Sequence, residues 1–321
     1  MKAARIHAYG DASQIKIEEA PLPVLNPDDV LVRIVAASVN PVDWKIRQGH
    51  LASFIPHTLP LTLGWDLSGV VAAVGPAVTG FKPGDAVYSR PDIARNGSYA
   101  EFIAVRESEL ALKPATISHV EAASLPLVSI TAWEVLVTTA DLQPGQRVLI
   151  HAGAGGVGAI AVQLAKARGA HVTATASAGK AALVRGLGAD EVLDYRSQDV
   201  ARLARDMDVV FDTQGGEAQE AAWGSLKPGG ILVSIVAPPS AERAAAEGKR
   251  SAFVFIQPSA PILRDLAAMV DASLIRPLVG AEFSLDNAAR AQEFSETGRA
   301  TGKIVLLDAY CPHMKTHLAA P

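Results

Sequence analysis

Residues 147–176 read RVLIHAGAGGVGAIAVQLAKARGAHVTATA, and the succession of textures along this stretch decides the fold. RVLIHA is a short apolar, β-branched run with the chemistry of a buried strand, and HVTATA is a second one. Between them GAIAVQLAKARG is free of proline and has the character of a helix, entered through a glycine turn. Gly153, Gly155 and Gly158 form G-x-G-x-x-G at this strand-to-helix junction, with Ala154, Gly156 and Val157 completing the loop. In that context each glycine has a task. The first permits the tight turn, the second lets a pyrophosphate approach the backbone, and the third brings helix and strand close together. Free N–H groups at the start of the helix, over Val157–Ala159, suit the same pyrophosphate. The alternative is a glycine turn that serves packing alone.

The end of the second strand carries more specific information. An NAD-binding unit places a carboxylate there for the ribose 2′-hydroxyl. This chain places Ala176, Ser177, Ala178, Gly179 and Lys180. A 2′-phosphate is repelled by a carboxylate and bound by a hydroxyl and an ammonium, so the segment favours NADP(H) over NAD(H). The competing reading has Lys180 opening the next helix in water.

Outward from this stretch the chain shows two textures. Before it come QIKIEE, DVLVRIVAASV, LSGVVAAVG, DAVYS and AEFIAV, β-rich runs broken by turn signals, which predict a compact antiparallel β domain or distorted barrel. A helical segment opens at Ser118 as N-cap, with acid in its first turn. Beyond HVTATA, the runs EVLDY, DVVFDT and GGILVSIV alternate with helical stretches, which predicts a parallel sheet covered on both faces. FVFIQ (253–257) reads as an edge strand, a helix is expected over Pro261–Ala272, and KIVLLD supplies a last strand. The expected fold is α/β, with a doubly wound parallel sheet domain over 123–276 and a β domain built from 1–122 and 277–321.

Composition narrows the partners. The chain has 321 residues, 49% hydrophobic and 19% charged, with a formal net charge of −4 and no block of Lys or Arg. These values fit a packed globular protein and exclude a basic nucleic-acid or membrane-surface footprint, which leaves a small molecule as partner. A single cysteine, Cys311, excludes disulfide frameworks and multi-thiolate metal sites and suits a reducing compartment. MKAARIHAYGDASQ has no apolar core of signal length, and no run is long enough to cross a bilayer, so a cytoplasmic protein is expected. None of the eight histidines shows ligand spacing; His151 and His119 read as ordinary core or surface residues.

The segments AASVNPVDWKIRQG (36–49), LPLTLGWDLSGVVAAVG (59–75), FKPGDAVYS (81–89), GSYAEFIAV (97–105), AGAGGVG (152–158), GADEVLDYR (188–196) and GKIVL (302–306) together resemble the medium-chain dehydrogenase/reductase superfamily, from about Lys2 to Leu307. The resemblance implies a GroES-like β-barrel catalytic domain and a Rossmann dinucleotide-binding domain. Zinc alcohol dehydrogenases of that superfamily place a Cys and a His where this chain has Asn40 and Trp65, and their four-cysteine lobe is missing between Tyr88 and Tyr99. Neither Asn40 nor Trp65 is a useful zinc ligand. The departure points to the zinc-independent branch that looks like NADPH:quinone oxidoreductases and enone reductases.

That branch implies cofactor contacts from Asn40, Thr131, Ala154 to Val157, Ser177, Lys180 and Tyr195. Without a metal, hydride acceptors activated by their own conjugated carbonyl are the fitting substrates, and the barrel has only to hold the substrate and place a few donors. Asn40, Asp43, Lys45, Tyr88 and Tyr99 are the candidates for this, with Asp43 and Lys45 as a solvated pair and Tyr99 as a core residue the competing readings. A homodimer is expected from the resemblance, with the strand near FVFIQ as its contact. Two further functions stay open: an NADPH-binding sensor or partner protein with little turnover, and an alcohol dehydrogenase. The tail DAYCPHMKTHLAAP departs from the family, and weak metal capture by Cys311, His313 and His317 is one reading of it.

Overall fold

The computed structural model describes residues 1–307, so the tail and its Cys311, His313 and His317 lie outside the described residues. The described residues divide into two compact units, one holding 1–126, 258–260 and 279–307, the other 127–257 and 261–278.

The second unit is built on a six-stranded sheet. Its strands stand in the order Glu191–Asp194, His171–Ala176, Arg147–Ile150, Met207–Asp212, Leu226–Ser234 and Arg250–Phe253. Every pairing is parallel. Numbered along this unit, the order is 3-2-1-4-5-6, that of a doubly wound fold, and its direction reverses between Arg147–Ile150 and Met207–Asp212. The helix Gly156–Ala167 buries Gly158 through Ala165, an almost continuous small and apolar face. The expected helix over 261–272 runs Ala260–Asp271. FVFIQ is only partly strand: pairing covers Arg250–Phe253 and the rest is irregular.

The first unit holds a seven-stranded sheet and a three-stranded one. Its centre is the eleven-residue strand Asp29–Val39, which pairs antiparallel with Leu67–Val74, Phe102–Arg106 and Lys303–Leu307. The sheet is not wholly antiparallel as expected, because Val279–Ser284 runs parallel to Lys303–Leu307. A helix, Ala288–Glu296, supplies the crossover that a parallel pair needs. Alternate residues of these strands, with Trp65 and Tyr99, fill one core. Three polar residues of high desolvation cost, Asp43, Asp66 and Arg47, are fully buried in the same unit. Arg47 is satisfied by the Gly10 carbonyl, Gln292 and Glu296.

Candidate active site

The glycine loop of the second unit is shaped by close approaches that only glycine permits. A Cβ at Gly158 would stand 2.2 Å from the Ala152 carbonyl oxygen, and one at Gly153 would stand 2.9 Å from the Ala174 Cβ. Gly155 is less confined: a Cβ there would stand 3.3 Å from the Ala152 carbonyl oxygen, a tight contact but not a clash. The Gly153 N–H donates to the Thr175 carbonyl at 2.8 Å and the Gly155 N–H to the Ala152 carbonyl at 2.8 Å, which pins the turn. The helix begins at Gly156, one residue before Val157, with Gly155 extended as its N-cap and Ala154 buried beneath it. First-turn N–H groups of a helix have no partner within it, so the loop is a cradle of donors with a partial positive charge.

Beside it, the register Ala176 to Asp194 carries Ser177 and Tyr195 out of adjacent strand ends. A short turn, Ala178–Lys180, follows Ser177. Tyr195 is 55% exposed, with the Arg196 guanidinium 5.6 Å over its ring and Arg196 Nε donating to its hydroxyl at 3.3 Å. Asp194, a carboxylate at the end of the neighbouring strand, accepts from the Arg196 backbone and the Ser197 hydroxyl. Thr131, buried in the same unit, donates its hydroxyl to the Leu127 carbonyl at 2.7 Å and keeps acceptor capacity.

His151 follows the first strand of this sheet and is a buried core histidine with a bonded partner. Its Nδ1 stands 3.1 Å from Asp212 Oδ1, and Asp212 is fully buried at the end of the neighbouring strand. The carboxylate also accepts from the Gln214 and Gly215 amides, the Gln219 side chain and the Ser234 hydroxyl. Burial pushes this carboxyl up, but the His151, amide and Ser234 donors outweigh burial and hold it well below the usual carboxylate range.

In the first unit the other sequence candidates meet in a buried polar cluster. Asn40 caps the helix Pro41–Arg47, whose proline fits the first turn because no N–H is needed there. The Asn40 N–H donates to Asp43 Oδ2 at 2.8 Å, and the Tyr99 hydroxyl donates to the same oxygen at 2.7 Å. Asp43 is therefore no member of a solvated pair with Lys45. It is fully buried, whereas the Lys45 ammonium lies 5.6 Å over the Trp44 ring. Tyr99 is a core residue with its hydroxyl satisfied, and Tyr88 is fully buried on its strand.

Sequence reasoning missed two members. Asp66 Oδ2 accepts from the Ser38 hydroxyl at 2.9 Å, Asn40 Nδ2 at 2.8 Å and Lys303 Nζ at 3.3 Å. Lys303, on the last strand, also donates to the Val39 carbonyl at 2.9 Å and to Asn40 Oδ1. Burial pushes the Asp43 carboxyl up to about 7 against the Asn40 and Tyr99 donors and Lys303, with Asp66 adding to the rise. Burial lowers the Lys303 ammonium, against the attraction of Asp66 and Asp43. Arg90 is buried too, its Nε and Nη1 without a hydrogen-bond partner. Trp65, at the other zinc-ligand position, is fully buried and donates its indole N–H to the Arg95 carbonyl. Among the described residues no group of three or more His, Cys, Asp or Glu side chains is arranged to hold a metal ion.

A profile for the alcohol dehydrogenase GroES-like domain matches residues 26–115, and one described as zinc-binding dehydrogenase matches 187–306. The second span contains neither His nor Cys. The chain is 35% identical to the mitochondrial NAD(P)H oxidoreductase RTN4IP1 of Danio rerio, over 95% of this chain and 91% of that protein. It is 38% identical to the chloroplastic NADPH-dependent alkenal/one oxidoreductase of Arabidopsis thaliana, over 95% and 79%. The quinone oxidoreductase structure from Coxiella burnetii superposes with a TM-score of 0.87 at 32% identity, over 96% and 99%. The cradle and the barrel define a nucleotide-dependent dehydrogenase/reductase, and the chain belongs to the medium-chain dehydrogenase/reductase superfamily, among its quinone and enone oxidoreductases.

Proposed function

We propose that this protein is an NADPH-dependent, zinc-independent oxidoreductase that reduces a quinone or an α,β-unsaturated carbonyl compound. The observation that carries the reading is the glycine cradle followed by a strand that ends in Ser177 and Lys180 in place of a carboxylate. The names of the relatives, NADPH-dependent alkenal/one oxidoreductase and quinone oxidoreductase, support both the cofactor and the substrate class.

NADPH, when bound, supplies the hydride. The backbone N–H groups around Gly155 to Val157 bind its pyrophosphate, and Ser177, Lys180 and Tyr195 hold the 2′-phosphate. Thr131 and Asn40 are further cofactor contacts in this reading. Asn40 also orients the acceptor, with Asp43, Tyr88 and Tyr99 as the further candidates to place donors near its developing oxygen. Zinc independence rests on donor chemistry: Asn40 and Trp65 offer no thiolate or imidazole. An activated, conjugated acceptor needs no Lewis acid on its oxygen, which matches such a site.

The test is NADPH oxidation, followed spectrophotometrically with small quinones and enones, alongside metal analysis. Turnover with no stoichiometric zinc supports the reading. Tight NADPH binding with no turnover replaces it by the sensor reading, and stoichiometric zinc with alcohol oxidation by an alcohol dehydrogenase.

The reading includes a homodimer in a cytoplasmic setting. The strand Arg250–Phe253 has a sheet partner on one side, and Phe253 and Phe255 are 42% and 49% exposed beside it, which supports an edge contact between two copies. Charged substitutions at both phenylalanines should convert dimer to monomer in sedimentation velocity. Among the described residues no helix is long and apolar enough to cross a membrane.

A further inference from the structure

Asn40 has an amide whose two ends are both spoken for by buried charged groups. Its Oδ1 accepts from the Lys303 ammonium and its Nδ2 donates to Asp66 Oδ2 at 2.8 Å. All three side chains are almost inaccessible, Asn40 at 1%, Lys303 at 5% and Asp66 at 0% exposure. The orientation of an asparagine amide is ordinarily a matter of assignment, because oxygen and nitrogen look alike. Chemistry removes the ambiguity here. An ammonium has three donors and no acceptor, and a carboxylate has acceptors only, so a reversed amide would set N–H against N–H and oxygen against oxygen.

The remaining capacity of Asn40 follows. One Nδ2 hydrogen is taken by Asp66 and the other is left. The amide oxygen keeps a second lone pair, but the ammonium beside it makes that lone pair a poor acceptor and polarises the amide toward stronger donation. We infer that Lys303 and Asp66 are positioning residues that fix the Asn40 amide, so that Asn40 presents an N–H donor to a carbonyl oxygen of its ligand. That oxygen belongs either to the quinone or enone substrate or to the cofactor's carboxamide. The inference rests on the proposed function for its consequence in turnover, but not for the orientation itself.

The chain contains four asparagines, Asn26, Asn40, Asn96 and Asn287, so labelling with 15N-asparagine yields four side-chain amide pairs. In the wild-type protein the Asn40 Nδ2 should show a scalar coupling across its hydrogen bond to the Asp66 carboxyl carbon. An Asn40 amide with no such coupling overturns the inference without any variant being made. In folded Lys303→Met the Asn40 pair should shift while the other three stay, and kcat with a quinone or enone should fall about 10- to 100-fold, as for a displaced contact. A fall in kcat with NADPH affinity kept assigns the donor to the substrate oxygen, and a matching fall in NADPH affinity assigns it to the cofactor's. A folded variant with Asn40 unshifted and turnover unchanged sinks the idea. If the wild-type protein reduces nothing, the reductase reading fails, while the coupling to Asp66 and the shift still decide the orientation.

Discussion

His151 and Asp212 meet across the two central strands of the parallel sheet, Nδ1 to Oδ1 at 3.1 Å, where the strand order reverses. That reversal is the place in an open α/β sheet where a crevice forms beyond the carboxyl ends of the strands. The pair ties the strand that feeds the glycine loop to the turn 213–216, since Asp212 also accepts from the Gln214 and Gly215 amides.

Asp212→Asn removes an acceptor and turns an N–H toward donors. Leaving a buried donor unpaired typically costs about 1–3 kcal/mol, and urea unfolding should read a loss of that order. The pH sign follows from a carboxyl held below its ordinary value in the fold. Its contribution is complete above the unfolded value near 3.8 and is lost as pH falls below it. The variant should therefore show a flatter acid limb than the wild type.

Asp43 predicts the opposite slope. Burial raises it to about 7 in the fold from 3.8 in the unfolded chain, so between these values the native state holds a proton that the unfolded state has released. Stability should fall with rising pH across that window, by up to about 1.4 kcal/mol per unit, and level off above it. Subtracting the profile of Asp43→Asn isolates this contribution. A difference profile that is flat from pH 4 to 7 would contradict the burial argument.

Gly155 and Gly158 should separate binding from folding. Gly158→Ala drives a methyl into the Ala152 carbonyl at 2.2 Å and should lower the thermal midpoint strongly. Gly155→Ala meets the Ala152 carbonyl oxygen at 3.3 Å, a tight contact that a small shift relieves, so it should cost far less stability than Gly158→Ala, yet its methyl stands where the backbone must meet the pyrophosphate. Fluorescence titration should then show NADPH affinity reduced about 10-fold or more.

Lys180→Ala should weaken NADPH about 10-fold, the scale of a charge-assisted hydrogen bond, and leave NADH nearly unchanged. Equal losses for both nucleotides would show that the ammonium does not address the 2′-phosphate.

These sites were unequally legible in the sequence. The glycine loop and the Ser177–Lys180 strand end are local, so spacing along the chain reports them directly. Asp43 and Tyr99 could be nominated as residue types, but not as a buried bonded pair 56 positions apart. Lys303 and Asp66 were invisible, because a lysine in a short strand is ordinarily solvated and the two are 237 positions apart. His151 was passed over for the same reason, its partner lying 61 positions on. The parallel pairing of Val279–Ser284 also escaped, since β-branched patterning gives a strand no direction.

The last described strand, Lys303–Leu307, has a consequence for synthesis of the chain. It lies beside residues 36–39 and brings the ammonium that faces Asp66. The barrel unit is thus begun first, yet its seven-stranded sheet lacks the strand beside residues 36–39 until Lys303–Leu307 has been made. The nucleotide-binding unit, nearly contiguous from 127 to 278, has all its strands earlier. Domains commonly fold in order from the N-terminus as they are made. In this chain the nucleotide-binding unit has every one of its described strands before the unit that was begun first has its own.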